Sequence, residues 1–216
     1  PGFGCHADDF AVASALGVPV WTTSPRAAAF LNCKSSLHRL VAQATAKFEA
    51  VKSTPFRESS TENPEPESLP VEERILLPPS DSGLFTPDEF CERLATLITR
   101  HLPTQTWLIK LDSSFNGSAI GVLNLKHMPS FSWCLQQYRS YGDQEWNRHE
   151  NQTAVFHRVL NDLPTLMVKH LELLSNVVYK SQHRFLQAFF VYGGVIEACP
   201  PSKEWTALSV HMSVEP

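Results

Sequence analysis

The sequence predicts an α+β fold in which helices flank a mainly antiparallel sheet. Several long segments repeat apolar residues at offsets of three, four and seven, which is typical of amphipathic helices. Residues 107–125 instead contain two alternating apolar runs around a short polar loop, which is typical of a hairpin. Hydrophobic residues make up 43% of the 216 positions, so the chain can form a substantial core.

The first fifty residues predict three helical segments and one short strand. Residues 8–16 are helix-like, Gly17 and Pro19 interrupt them, and 18–21 predict a short strand. Pro25 opens another helical turn, and 34–51 predict an amphipathic helix. The apolar stripe of that helix consists of Leu37, Leu40, Val41, Ala44 and Phe48.

Residues 52–74 differ in composition from the rest of the chain. Proline, serine and glutamate dominate, and apolar residues almost vanish. Such a segment cannot bury enough surface to offset the entropy of ordering it. We therefore expect a disordered acidic insertion on the surface of the domain rather than a boundary between domains.

The next segment predicts a short extended piece at 75–79 and then a well-delimited helix. Thr86 is a favourable N-cap, Pro87 suits the first helical position, and Glu89 completes a capping box. Pro103 is expected to end the helix. Its buried stripe is predicted to be Phe90, Leu94, Leu97 and Ile98.

The second half of the chain predicts the hairpin, then helices, then two strands. After strands near 107–112 and 119–125, helical patterns begin at Phe131, with Gly142 and Pro164 as interruptions. An apolar run before the Gly-Gly pair at 193–194 predicts one further strand, and 195–198 predict another.

Composition and missing motifs exclude several classes of protein. A net charge of −4 provides no basic surface for nucleic acid or membrane, and no apolar run reaches transmembrane length. The five cysteines are odd in number, widely spaced and without a CxxC pair, which favours a reduced cytoplasmic setting over disulfides or zinc. The chain also lacks GxxxxGK[ST], GxGxxG, HExxH and GxSxG motifs. It has no initiator Met, and its last residues alternate like an interrupted strand, so we expect a fragment that is incomplete at both ends.

Four segments occur in an order that resembles ATP-grasp domains. They are "ALGVPVWTTSPRAAAFLNCKSSLHRLVAQA", "ILLPPSDSGLFTPDEFCERLATLI", "WLIKLDSSFNGSAIGVLNL" and "GGVIEACPPS". The third and fourth together resemble the ATP-grasp region of the IQ motif-containing protein H family. The resemblance implies that 1–33 end a pre-ATP-grasp region and that 34–216 form the N-terminal part of an ATP-grasp-like domain.

The same resemblance implies a nucleotide site. Lys34 and Lys110 would hold phosphates, the loop at 113–118 would supply N–H groups, and Glu197 would accept from the adenine amino group. The implied binding residues are Lys34, Lys110, Asn116, Gly117, Ser118, Glu197, Ala198 and Cys199.

Each main candidate also has a simple structural interpretation. Lys110 could protect an edge strand, and Gly117 could serve only the turn. Glu197 could be an exposed charge at a strand end, and Lys34 could be a solvated helix residue.

The resemblance implies ATP as the cofactor and a carboxylate–amine ligase-like reaction for the full-length protein. Magnesium ligands are expected only beyond residue 216, so this chain alone is not expected to catalyse ligation. The alternative is a non-catalytic scaffold in which the full-length protein binds calmodulin or RNA-binding proteins. Residues 166–190 are a weak amphipathic calmodulin-binding candidate, and their alternative interpretation is a core-packing helix pair.

Overall fold

A computed structural model of the protein describes residues 7–20, 23–53, 77–112 and 118–200. The helices are α1 (Ala7–Leu16), α2 (Pro25–Asn32), α3 (Lys34–Ser53), α4 (Pro87–Arg100), α5 (Phe131–Trp146), α6 (His149–His170) and α7 (Gln182–Tyr192). The strands are β1 (Ser80–Ser82), β2 (Thr106–Leu111), β3 (Ile120–Asn124), β4 (Leu171–Leu173) and β5 (Gly194–Ala198). Within these ranges, no helix is both long enough and apolar enough to cross a bilayer.

The five strands form one sheet in the order β1-β5-β2-β3-β4, and every neighbouring pair is antiparallel. The predicted α+β class is therefore confirmed. The predicted hairpin is also confirmed, since Thr106 lies opposite Asn124 and Lys110 lies opposite Ile120. Because β2 pairs with both β3 and β5, the first strand of the hairpin is the central strand of the sheet.

The two faces of the sheet have different environments. Trp107, Ile109 and Leu111 point into the core, which they share with apolar residues of α4, α6 and α7. The alternate residues Leu108 and Lys110 are only partly buried and lie on the opposite face. Helix α3 contacts β1 and β5, and the side chains that it meets there lie on this second face.

Helix α4 forms as its capping signals predict. The Thr86 Oγ1 accepts a hydrogen bond from the Glu89 backbone N–H at 3.3 Å, and three residues of the predicted stripe, Phe90, Leu94 and Ile98, are fully buried. The predicted helices at the N-terminus and after Phe131 are also present. Gly142 interrupts α5 with φ of 70°, so that predicted break is a kink within the helix.

The strand predicted near the N-terminus is wrong over its described residues, and the extended piece predicted at 75–79 is not a strand where it is described. Residues 75 and 76 lie outside the described residues, 77–79 contain no strand, and the observed strand β1 lies just after them. Its polar sequence Ser-Asp-Ser becomes a strand because its backbone pairs with β5, and this long-range contact leaves no local apolar pattern. Residues 18–20 also contain no strand, and Trp21 lies outside the described residues.

Two predictions in the second half need correction. Pro164 lies inside α6 and does not end it, since Val159, Leu163 and Leu166 pack into the core on both sides of the proline. The apolar run predicted as a strand is α7, whose N-cap Ser181 accepts from the Arg184 N–H.

The calmodulin-binding candidate at 166–190 is not a continuous helix. It comprises the end of α6, the edge strand β4, a turn and most of α7. The edge strand was missed because its three residues continue the apolar pattern of α6, and only pairing with β3 makes them extended. The core-packing interpretation is confirmed for the two helical parts, since Leu166, Met167, Phe185, Leu186 and Phe189 are buried, but the strand β4 separates them. Calmodulin binding stays a prediction.

The predicted insertion begins within a helix. Helix α3 continues through Ser53, so residues 52 and 53 belong to it. Residues 54–74 lie outside the described part of the chain.

Candidate functional site: a cleft between α3 and the sheet

The start of α3 is attached to the sheet through Ser35. Its backbone N–H donates to the Asp112 Oδ1 at 2.8 Å, and its hydroxyl donates to the Gly194 carbonyl at 2.9 Å. Asp112 directly follows β2, so its carboxylate accepts from an otherwise unpaired N–H at the positive end of the helix. These contacts place the first turn of α3 over the adjoining ends of β2 and β5.

A cleft of about 420 Å³ separates α3 from the second face of the sheet. Its walls are mainly apolar, and a smaller group of polar residues faces the same space. The apolar residues are Leu37, Val41, Leu77, Pro78, Ile120 and Val195. The polar residues are Lys34, His38, Ser80, Lys110 and Glu197.

Lys110 and Glu197 form an ion pair in this cleft. Lys110 lies opposite Val195, and Glu197 lies opposite Leu108, so the two charged residues are diagonal neighbours on one face of β2 and β5. Their side chains are 25% and 22% exposed. Because β2 is central, the edge-strand interpretation of Lys110 is wrong, and Glu197 is not an exposed charge at a strand end.

Lys34 is partly buried at the start of α3, and its Nζ donates to the Leu111 carbonyl at 2.6 Å. Burial lowers the pKa of this ammonium below that of an ordinary lysine; the nearby Lys110 charge lowers the pKa further, while Asp112 opposes the shift. The interpretation of Lys34 as a solvated helix residue is therefore wrong. The structure brings Lys34, Lys110 and Glu197 into one cleft, although they are far apart in the sequence.

His38 is a cleft residue that the sequence analysis missed. Its Nε2 lies 2.7 Å from the Ser80 Oγ, and its Nδ1 lies 3.1 Å from the Ser82 Oγ. The available signal was its position four residues after Lys34, which places both side chains on one face of a helix. The serine partners could not be identified because the strand β1 was not predicted.

The other predicted binding residues lie elsewhere or outside the described residues. The N–H groups of Ala198 and Cys199 donate to the carbonyls of Pro79 and Thr106 at 2.8 and 2.9 Å, so both donors are used within the sheet. Ser118 lies just before β3, whereas Asn116 and Gly117 are outside the described residues.

Metal-ligating side chains do not cluster within the described part of the chain. Across residues 7–20, 23–53, 77–112 and 118–200, no group of three or more His, Cys, Asp or Glu side chains could hold a metal ion. The charged groups among the described residues that line the cleft are the ammonium groups of Lys34 and Lys110 and the carboxylate of Glu197.

The antiparallel sheet with its flanking helices is consistent with an ATP-grasp-like domain, and comparison with known proteins specifies the family. Residues 70–216 match the family model described as "IQCH-like, ATP-grasp", and the chain belongs to this family. It is 28% identical to IQ motif-containing protein H of Danio rerio over 211 residues. The alignment covers 98% of this chain and 17% of that relative. No solved structure matches the chain.

Proposed function

We propose that the cleft between α3 and the sheet binds an adenine nucleotide, with ATP as the ligand. The observation that carries this proposal is the convergence of Lys34, Lys110 and Glu197 on one apolar-walled cleft. Its volume of about 420 Å³ lies in the range of small-molecule sites.

The two lysines support an anionic ligand. The pKa of Lys34 is lowered by burial and by the charge of Lys110, so the cleft holds two ammonium groups at an electrostatic cost. A phosphate group held by Lys34 would offset that cost and accept charge-assisted hydrogen bonds. The family membership supports the same class of ligand.

The contact between Lys110 and Glu197 supports recognition of adenine rather than guanine. One edge of adenine presents an acceptor, N7, beside a donor, the N6 amino group. An ammonium and a carboxylate side by side complement that edge. Guanine presents two acceptors there, N7 and O6, so Glu197 would face an oxygen. We therefore assign Glu197 to the amino group and Lys110 to the base-proximal end of the ligand, with Lys34 on the phosphates.

The remaining contacts belong to the same proposal. The loop residues Asn116, Gly117 and Ser118 would add donors to the phosphates, and main-chain groups of Ala198 and Cys199 would border the base. Because the N–H groups of Ala198 and Cys199 are paired within the sheet, we assign the carbonyls of these two residues to the contact with the base. We also propose that the domain boundary lies at residue 34 and that the protein is cytoplasmic.

Catalysis is proposed only for the full-length protein. ATP bound in such a domain supplies a phosphoryl group that activates a carboxylate for attack by an amine. The described residues of this chain bind and orient the nucleotide, and no metal-dependent step is assigned to them. A calmodulin partner, consistent with the IQ motif in the relative's name, would also be engaged through other parts of the full-length protein.

Isothermal titration calorimetry with ATP, GTP and tripolyphosphate tests this function. The protein should bind ATP more tightly than GTP, and Lys110→Met should weaken ATP binding by about ten- to a hundredfold, the value of one or two charge-assisted hydrogen bonds. Lys126→Met, which changes an exposed lysine just after β3, is the matched control and should leave affinity unchanged. Absence of ATP binding by the folded wild-type protein, or equal affinities for Lys110→Met and wild type, would contradict the proposal.

A further inference from the structure

The cleft contains a histidine whose hydrogen bonds are made entirely to the protein. We propose that His38 is a positioning residue that holds Lys34 in the nucleotide site, an inference that rests on the proposed function. The cluster that supports it consists of His38 on α3 and the two serines of β1, Ser80 and Ser82.

The hydrogen bonds of this cluster fix the orientation of the imidazole ring. The Ser80 hydroxyl donates to the Pro78 carbonyl at 2.8 Å, so its oxygen is left to accept from the Nε2–H of His38. In a neutral ring with the proton on Nε2, Nδ1 is an acceptor and receives the Ser82 hydroxyl proton. Donors and acceptors are therefore matched at both nitrogens, and neither nitrogen is left for a ligand.

Ser80 and Ser82 can both reach the ring because they are two residues apart on β1. Residues two apart on a strand point to the same face, and here that face is the one covered by α3. Ser80 lies opposite Glu197 in the sheet, so the cluster is anchored beside the proposed base-binding residue.

His38 and Lys34 lie four residues apart and therefore share one face of α3. Ser35 attaches the first turn of the helix to β2 and β5, while His38 attaches the second turn to β1. A helix held at one residue can still rotate about that point. Because α3 is held at both Ser35 and His38, its rotation is restricted and the direction of the Lys34 side chain is defined.

Apolar packing contributes little to holding this part of α3. Leu37 and Leu40, which flank His38, are 43% and 42% exposed. Their partial burial provides only a fraction of the stabilisation of a core leucine. The polar contacts of His38 therefore add a second restraint to the one that Ser35 provides, and their loss should loosen the position of the Lys34 ammonium near Leu111.

The first test measures Lys34 directly and does not depend on nucleotide binding. The folded protein is acetylated with acetic anhydride and then digested, and mass spectrometry of the peptides gives the acetylation rate of Lys34 relative to that of exposed Lys47 on the same helix. His38→Ala should raise the relative rate for Lys34 by roughly fivefold, as expected for the loss of one or two neutral hydrogen bonds. Gln43→Ala, an exposed change to alanine in α3, should leave it unchanged.

The second test is a double-mutant cycle on ATP affinity. His38→Ala should weaken ATP binding by roughly five- to tenfold in the wild-type background and should have no further effect in a Lys34→Met background. A merely structural role would weaken binding equally in both backgrounds, and that result would overturn the proposal.

The two measurements separate failure of this inference from failure of the proposed function. If ATP does not bind, the nucleotide proposal fails while acetylation still tests the position of Lys34. If Lys34 reactivity is unchanged by His38→Ala, the positioning role is overturned. If His38→Ala impairs folding, the milder Ser82→Ala variant, which removes one of the two hydrogen bonds of His38, replaces it. Ser82→Ala should raise Lys34 reactivity about twofold. No rise would overturn the positioning role of His38.

Discussion

The ion pair between Lys110 and Glu197 should couple the two central strands β2 and β5 energetically. We consider Lys110→Met, Glu197→Gln and the double variant, which remove one or both charges while keeping similar shapes. Two unit charges about 4 Å apart attract by about 4 kcal/mol at an effective dielectric constant of 20. Each side chain is about one-quarter exposed, so solvent screening and desolvation reduce this gross value. We expect a net coupling free energy of about 1–2 kcal/mol.

Urea unfolding of the four proteins measures this coupling. The double variant should lose less unfolding free energy than the sum of the losses in the two single variants. Each single variant leaves the other charge unpaired in a mostly buried site, whereas the double variant leaves no charge there. The surface pair Arg148–Glu145, whose side chains are 69% and 49% exposed, provides a matched control cycle with an expected coupling below about 0.5 kcal/mol. If the Lys110–Glu197 coupling is no larger than that of the control, the reasoning is refuted.

Three further predictions concern α3, the β5 strand and the cleft lysine. Asp112→Ala should destabilise the protein by about 1 kcal/mol and speed hydrogen exchange at the start of α3, because the Ser35 N–H loses its acceptor; unchanged exchange would contradict this. Gly194→Ala should destabilise by about 1–3 kcal/mol in thermal unfolding, since a Cβ there would overlap the Lys110 carbonyl of the neighbouring strand β2 and the Phe189 ring; a neutral effect would contradict this close approach. In NMR titration, Lys34 should lose its proton at a lower pH than an ordinary lysine, because burial lowers its pKa. The native state then releases that proton before the unfolded state does, so the Lys34 contribution to stability should rise with pH through this window; a midpoint at the ordinary lysine value would refute the lowered pKa.

The sequence predicted the helices and strands whose determining interactions lie within one short segment. The Thr86 cap and the apolar spacing of α4 are contained within one segment, and the hairpin strands alternate on either side of their loop. β1 and β4 have only three residues each and become strands through pairing with distant segments. The apolar run in α7 is compatible with either a helix or a buried strand, and tertiary packing against Phe90 selects the helix.

The same distinction applies to the candidate site. Lys34, Lys110 and Glu197 were identified through family resemblance, and the structure brings them together although Lys110 and Glu197 alone are 87 positions apart. His38 was missed because its partners lie 42 and 44 residues away on a strand that has no local signature. The direct contact between Lys110 and Glu197 was also not predicted, because it depends on the diagonal register of β2 and β5.

Methyl NMR during an ATP titration tests the central claim most directly. Val41, Ile120 and Val195 line the cleft, whereas the exposed Val168 and Val191 do not. The account predicts saturable shifts of the cleft methyl signals with a single dissociation constant, and no shifts for the two exposed valines. Unchanged cleft signals at saturating ATP, or equal shifts in both groups, would contradict a nucleotide site between α3 and the sheet.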